Sequence, residues 1–311
     1  MPDFDHLRFY RETLEAQLRH LRKGHFKLHL PRPLEGGIRR VAGTHFHFDP
    51  ELFIQIGGLT DFSFPREKMR LLAGEALLVP RGLPHGEIAR NFKGDFLNLV
   101  VMFPRDGVSI HSAMEDDKGN PKVCGLEYFK TDKGRRIEQY LDDIVAFYHS
   151  GGNEKSEPEV KEAVRGLFQA TLAGLLLVVK QVKTPDRTTE HQKISECRKF
   201  VLSHIYESSL SVKKLAGQIH CAQDYLSHLF VTETGERLTD YIRQERIALA
   251  KRHLQNPALN IKEIAWSCGF ADQGYFTRLF KRLSGETPKA FRKKLGTAVF
   301  ADQLRPHGLM R

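Results

Sequence analysis

Leu210-Ser211-Val212-Lys213-Lys214-Leu215-Ala216 returns 49 positions later as Leu259-Asn260-Ile261-Lys262-Glu263-Ile264-Ala265. The likeness continues at an offset of 50, where Tyr225-Leu226, Leu229-Phe230, Thr234-Gly235-Glu236 and Tyr241 return as Tyr275-Phe276, Leu279-Phe280, Ser284-Gly285-Glu286 and Phe291. One residue is inserted inside the second copy. Self-similarity at a fixed period marks a repeated supersecondary unit. Here the unit reads as a short helix, a turn and a longer helix, the order of a helix-turn-helix.

Helix signals set the limits of each copy. Ser211 and Asn260 stand where a side-chain oxygen can accept a free N–H of the first turn, so they start helices over 212–219 and 261–268. Turns follow at His220-Cys221 and Gly269-Phe270. The second helices cover about 222–234 and 272–284, ended by Gly235 and Gly285 as left-handed residues. A long helix over about 238–255, stopped by Asn256-Pro257, joins the copies. A helix over about 192–207 leads in, and Pro288 opens a last helix anchored by Phe291.

Charge singles out the same region. Of the net +10, residues 190–311 hold +8 (20 Lys+Arg against 12 Asp+Glu) and residues 1–189 only +2 (28 against 26). A basic third beside a nearly neutral remainder predicts a polyanionic partner for that third. At 41% hydrophobic and 28% charged, the composition excludes a fibre or a wholly disordered chain, and 311 residues suggest two domains. Cys124, Cys197, Cys221 and Cys268 include no Cys-x-x-Cys pair, so they are expected as small packed residues and not as a metal knot. The first residues lack a signal-peptide pattern, and the longest apolar run, Leu172–Val179, is far shorter than the roughly 20 residues of a bilayer span. A cytoplasmic chain without a membrane partner is expected.

Upstream, residues 5–22 fit an amphipathic helix with Leu7, Tyr10, Leu14, Leu18 and Leu21 on one stripe, ended by Gly24. Residues 25–105 carry short apolar runs between Gly and Pro turn signals, the pattern of a sandwich or barrel. Leu97–Phe103 is nearly continuously apolar and is expected buried on both faces. Residues 106–133 read as irregular connection. Residues 134–149 form a helix with Ile137, Tyr140, Leu141, Ile144, Val145 and Tyr148 on one side. That side suits a partner helix or the chain's own barrel equally. Pro158 opens a further helix to about Lys183, where Gly166 and Gly174 permit close helix contact, and residues 184–190 read as a linker.

Two segments of the sheet-like region carry chemistry. In Gly43-Thr44-His45-Phe46-His47-Phe48-Asp49-Pro50-Glu51, the histidines stand two apart and would share a face of a strand. The second is Gly74-x5-Pro80-x-Gly82-x2-His85. Together they resemble the two signature motifs of the cupin barrel, with Ala89 where the motif has Asn. The resemblance implies that His45, His47, Glu51 and His85 line a site. Three imidazoles and a carboxylate suit a first-row divalent ion. Sensor cupins joined to DNA-binding domains often keep such positions without a metal. A pocket that hydrogen-bonds a small polar ligand, or simply a satisfied interior, is therefore the favoured reading, and the divalent metal the alternative.

The second resemblance is more specific. Ile264-Ala265-Trp266-Ser267-Cys268-Gly269-Phe270-Ala271-Asp272-Gln273-Gly274-Tyr275-Phe276-Thr277-Arg278-Leu279-Phe280-Lys281-Arg282, then Gly285-Glu286-Thr287-Pro288 and Phe291-Arg292, resembles the signature of AraC/XylS transcription regulators. It covers roughly residues 192–294. It implies that each unit offers its second helix to the DNA major groove, which admits a helix. Helix phase puts Leu226, Leu229, Phe230, Tyr275, Phe276, Leu279 and Phe280 inside. It puts Gln223, Asp224, Ser227, His228, Gln273, Gly274, Thr277, Arg278 and Lys281 outside. Gln and Arg read adenine and guanine at two points each. Lys281, Arg282, Lys289, Arg292, Lys293 and Lys294 suit phosphate.

The expectation is a multidomain chain. It has an N-terminal helix (1–24), a cupin-like β-barrel sensor (25–110), a connection and helical dimerisation segment (111–189), an all-α domain with two helix-turn-helix units (190–295), and a tail (296–311). Its expected function is sequence-specific transcription regulation in response to a small-molecule effector. The expected partners are double-stranded DNA, a second copy of the chain and RNA polymerase, with no catalysis. The alternative is a metal-dependent cupin enzyme with a DNA-binding tail.

Overall fold

The computed structural model describes residues 5–25, 27–34, 45–90, 96–104, 107–115, 121–150, 157–181, 192–257 and 259–303. The chain divides into two compact units, Met1–Ser203 and His204–Arg311.

The first unit opens with α1 (His6–Arg22), capped by the Asp5 carboxylate on the Arg8 N–H. Among the described residues nine strands follow: β1 (Lys27–His29), β2 (Glu51–Gly57), β3 (Leu59–Ser63), β4 (Lys68–Leu72), β5 (Glu75–Val79), β6 (Gly86–Arg90), β7 (Leu97–Met102), β8 (Gly107–Glu115) and β9 (Pro121–Lys130). Three helices complete it: α2 (Lys133–Ser150), α3 (Pro158–Gln181) and α4 (Gln192–Ser203). The strands form a six-stranded sheet in the order β1-β5-β2-β7-β8-β9 and a three-stranded sheet in the order β4-β3-β6.

Side chains alternate across the large sheet and so serve two cores. Leu52, Ile54, Ala76, Leu78, Leu99 and Val101 meet Tyr10, Leu14 and Leu18 of α1, Ile137, Leu141 and Ile144 of α2, and Phe168, Leu172 and Leu175 of α3. Their neighbours Phe53, Leu77, Val79 and Val100 turn the other way, onto Phe62, Phe64 and Leu71 at the small sheet. The unit is three layers deep, and the run through β7 is buried on both sides as its composition requires.

Three expectations change here. Among the described residues the strands make two sheets and no closed barrel. Residues 45–48, expected as a strand, contribute only a bridge of two hydrogen bonds between His45 and His85, both 2.9 Å, because Asp49-Pro50 breaks the extension. Residues 107–115 and 121–130, expected as irregular, are the long hairpin β8–β9. Its alternation is diluted by Ser, His and Gly and shifts register between Ile110 and Ser112, so the period-2 signal is weak. The apolar stripes of α2 and α3 are taken up by their own unit. Gly174 does permit close approach, since a Cβ there would lie 2.9 Å from Ile137, but nothing lies within 4 Å of the same place on Gly166.

The second unit holds α5 (Val212–Gln218), α6 (Gln223–Thr234), α7 (Leu238–His253), α8 (Ile261–Ser267), α9 (Gln273–Ser284) and α10 (Pro288–Gln303). The expected caps are in place. Ser211 accepts from the Lys214 N–H, Asn260 and Glu263 form a reciprocal capping box, and Gly235 and Gly285 end α6 and α9 at φ of 75° and 79°. The half-buried Arg246 on α7 pins the chain before α5 by donating to the carbonyls of Ile205 (3.1 Å) and Glu207 (2.6 Å).

Candidate functional site

Each of the two units carries a candidate site. In the first unit the four sequence-marked residues converge. One ligand atom from each of His45, His47, Glu51 and His85 lies within 4.8 Å of the others, and His47, Glu51 and His85 are buried. Glu51 opens β2, His85 immediately precedes β6, and the bridge to His85 holds His45.

The hydrogen bonds fix the charge this cluster needs. The His47 Nδ1–H donates to the Asp49 carbonyl at 2.6 Å and the His85 Nδ1–H to the Leu83 carbonyl at 3.0 Å. A carbonyl only accepts, so each neutral ring turns a bare Nε2 lone pair inward. Both lone pairs face Glu51 Oε2, at 3.0 Å from His47 and 3.2 Å from His85. A carboxylate oxygen also only accepts. A proton or a cation must therefore stand among them. With protons, burial works against a charged His47, but the Glu51 carboxylate outweighs it and raises the imidazole pKa. Burial likewise opposes a charged Glu51, and hydrogen bonds from His47 and His85 hold it well below the usual carboxylate range.

The donor set also fits a divalent ion. Ligands about 2.1 Å from a metal stand about 3–4 Å apart, near the separation here. Imidazoles oriented by a second hydrogen bond to a backbone carbonyl are the usual arrangement of metal-binding histidines. His45, His47, Glu51 and His85 are the residues that would hold it.

Glu87 of β6 pairs with Phe62 and so shares its face of the small sheet. Crowding by the protein and then the charge of Glu51 raise its carboxyl pKa to about 7.

In the second unit, Gln223, Asp224 and His228 on α6 are exposed, as are Gln273, Gly274, Arg278 and Lys281 on α9. Ser227 and Thr277, at matching places, are half-buried and donate their hydroxyls to the carbonyls of Gln223 and Gln273, each at 2.9 Å. Their oxygens remain acceptors, and Thr277 adds a methyl. Asp224 lies in the first turn of α6, where a carboxylate complements the helix dipole, and Ala222 gives that helix no side-chain cap. On α9, Asp272 caps the Tyr275 N–H at 2.6 Å.

Leu226, Phe230, Phe276, Leu279 and Phe280 are buried as expected, while Leu229 is only half-buried. Tyr275 was expected inside and is 42% exposed, with Tyr225 at the matching place 47% exposed. Each sits one residue before the buried position, about 100° around the helix, which carries it off the apolar stripe. Tyr275 meets Arg243 of α7. The repeat itself was the missed signal, since both copies keep Tyr on the exposed flank of the reading helix. Lys289 and Lys293 are exposed, Lys294 is paired to Glu286 at 3.0 Å, and Arg292 is half-buried.

Residues 215–294 match the helix-turn-helix domain family. The chain is similar to the HTH-type transcriptional regulator YijO of Escherichia coli K12, at 28% identity over 72% of this chain and 75% of that protein. It is also similar to the HTH-type transcriptional activator RhaR of Salmonella dublin, at 30% identity over 47% of this chain and 50% of that protein, so it spans only about half the length of that relative. A solved C-terminal domain of the two-component response regulator yesN from Fusobacterium nucleatum matches 32% of this chain and 95% of its own, at 30% identity and a TM-score of 0.31.

Proposed function

We propose that the chain is a sequence-specific transcription regulator of the AraC/XylS type. It binds double-stranded DNA through α6 and α9 and responds to a small molecule held between the two sheets of a cupin-like sensor unit. The observation that carries this reading is the duplicated helix-turn-helix, with its second helices presenting polar, exposed residues at matching positions in a basic unit. Gln273, Thr277 and Arg278 equip α9 for base edges, and Lys281 equips it for phosphate. The proposed setting is a cytoplasmic homodimer, with RNA polymerase as a further partner and no catalytic step.

Selection from a randomised duplex library with the full chain tests the reading. The expected result is a bipartite motif with its halves about one helical turn, roughly 10 base pairs, apart. Recovery of no motif above background would reject it.

The convergent donors around Glu51 and the carbonyl-oriented rings of His47 and His85 support a divalent cation in the sensor. When bound, such an ion supplies a positive centre for an anionic or hydroxyl group of the effector. His45, His47, Glu51 and His85 hold it, and the carbonyls of Asp49 and Leu83 orient two of the rings. Metal analysis of protein purified without added metal is expected to give about one ion per chain, lost in Glu51→Gln. The same site on a metal-dependent enzyme is the competing assignment, and it would require turnover of a small substrate by the isolated protein.

A further inference from the structure

Arg81 lies in the turn after β5, four residues before His85, and its whole guanidinium is engaged. Nη1 donates to the Phe48 carbonyl at 2.6 Å, and Phe48 stands between His47 and the carbonyl of Asp49 that orients the His47 ring. Nε and Nη2 take both carboxylate oxygens of Asp142 on α2, at 2.7 and 2.9 Å. Nη2 also meets Glu138, one turn earlier on α2, at 2.8 Å. The same turn is tied to the site a second time, because the Gly82 N–H donates to the His47 carbonyl at 2.8 Å. The Leu83 carbonyl in turn orients His85.

One planar group thus touches the loop carrying His47, belongs to the loop carrying His85, and grips α2 in the fork geometry that fixes direction as well as distance. Any ligand that draws His47 and His85 toward Glu51 moves both loops relative to α2, and the rigid fork passes that displacement on. The neighbouring face of α2 is built into the core through Ile137, Leu141 and Ile144 and packs on α3 at Gly174. Movement of α2 is therefore felt by the helical layer as a unit.

We propose that Arg81 is a positioning residue that couples the state of the His45/His47/Glu51/His85 site to α2, making the α2–α3 layer the output of the sensor. This rests on the sensor reading above. Spatial order alone does not establish coupling, so the test measures it directly.

Amide hydrogen exchange across 133–150 is followed in the full chain as wild type, Glu51→Gln, Arg81→Met and the double variant. Glu51→Gln alters the site without needing any ligand. The expected result is an about fivefold change in α2 exchange on Glu51→Gln when Arg81 is present, and none in the Arg81→Met background. Equal changes in both backgrounds, or no change in either, overturn the coupling. Asp142→Asn breaks the fork from its exposed side and is expected to act like Arg81→Met, which keeps the test decisive if the latter fails to fold. Arg81→Lys, which keeps the charge but not the fork, is expected to restore only part of the effect. A separate arm titrates Co(II) and reads its visible absorption. Retention of the band in Arg81→Met with loss of α2 protection supports the role. No band in wild type rejects the cation reading while the Glu51→Gln comparison still decides the coupling.

Discussion

His220 and Gly269 occupy the same place in the two copies, the residue that turns the first helix into the second. Both are left-handed, at φ of 53° and 77°. A side chain in that conformation costs about 1–2 kcal/mol, and glycine's extra freedom when unfolded returns about half. His220→Gly is therefore expected to stabilise the second unit by about 0.5–1 kcal/mol, read as a raised urea midpoint. Gly269→Ala should cost more than about 2 kcal/mol, because its Cβ would also lie 2.6 Å from the Ile205 carbonyl. An unchanged midpoint in both would show that this turn is not held as described. In the buried cluster of the first unit, Glu51 and His47 set opposite limits on pH. The Glu51 pKa is held below its ordinary 4.5, so its contribution is complete above that value and lost as pH falls through the folded one. The His47 pKa is raised above 6.5, so its contribution is complete below 6.5 and lost as pH rises through the folded value. In chelator, the first unit should be most stable near pH 4.5, because the raised Glu87 carboxyl lowers stability as pH climbs from 4.5 through about 7 and His47 loses its contribution above 6.5, and Glu51→Gln should flatten the profile. Calorimetry across pH 4–9 decides, and a wild-type profile in the variant would rule out the pair as its source. A bound divalent cation removes the alkaline decline, since the rings then serve as neutral ligands.

Elements were legible in the sequence in proportion to how locally they are specified. Every helix of the second unit was readable because caps, glycines and the 3.6 period are short-range signals, and the copy supplied an internal check. The strands were legible where apolar alternation was strong, as in β2, β5 and β7. The hairpin β8–β9 was not, since its stability comes from pairing across the sheet. The metal-like quartet was legible as residue types at a spacing. Its convergence was legible only through the cupin resemblance, because a bridge between distant loops creates it. Arg81 carried no sequence signal at all, its partners lying 33 and 61 positions away. For the reading helices, exposure separates two roles on α9. Arg278→Ala is expected to weaken binding to the selected sequence by about 1–3 kcal/mol and relax preference at one base pair, with the salt dependence retained. Lys281→Ala should weaken all sequences alike and reduce the slope of log K against log salt by about 1. Fluorescence anisotropy over a salt series on matched and scrambled duplexes tests both. The same loss pattern from the two variants would contradict the assignment of bases to one and phosphate to the other.

At the scale of the whole molecule, the open question is what covers the outer side of α3. This helix has a mean hydropathy of 1.5 over its most apolar stretch, yet a third of that stretch is buried. Its inner face, with Phe168, Leu172 and Leu175, is taken up by the large sheet and α1. On the other side Ala163, Gly166, Ala170, Ala173 and Leu177 follow one another at steps of three and four, the spacing of a seam between two helices, and all are half-buried or exposed. Leu177 is 55% exposed, and the space beside Gly166 is empty. A second copy of α3 would fill that space and cover Leu177 on both chains, with small residues letting the backbones close. Sedimentation is expected to give twice the 35.6 kDa chain mass. Leu177→Glu should raise the dimer dissociation constant at least about tenfold, because each dimer would bury two carboxylates against each other. Since Leu177 is largely exposed within one chain, the same substitution should leave unfolding of the monomer within about 0.5 kcal/mol. A regulator that joins two readers this way binds a site with two copies of its motif far more tightly than one, and the variant should lose that advantage while keeping its affinity for a single copy. A wild-type monomer at micromolar concentration, or a Leu177→Glu variant that still sediments as a dimer, would remove α3 from the interface and leave the paired reading helices to act from a single chain.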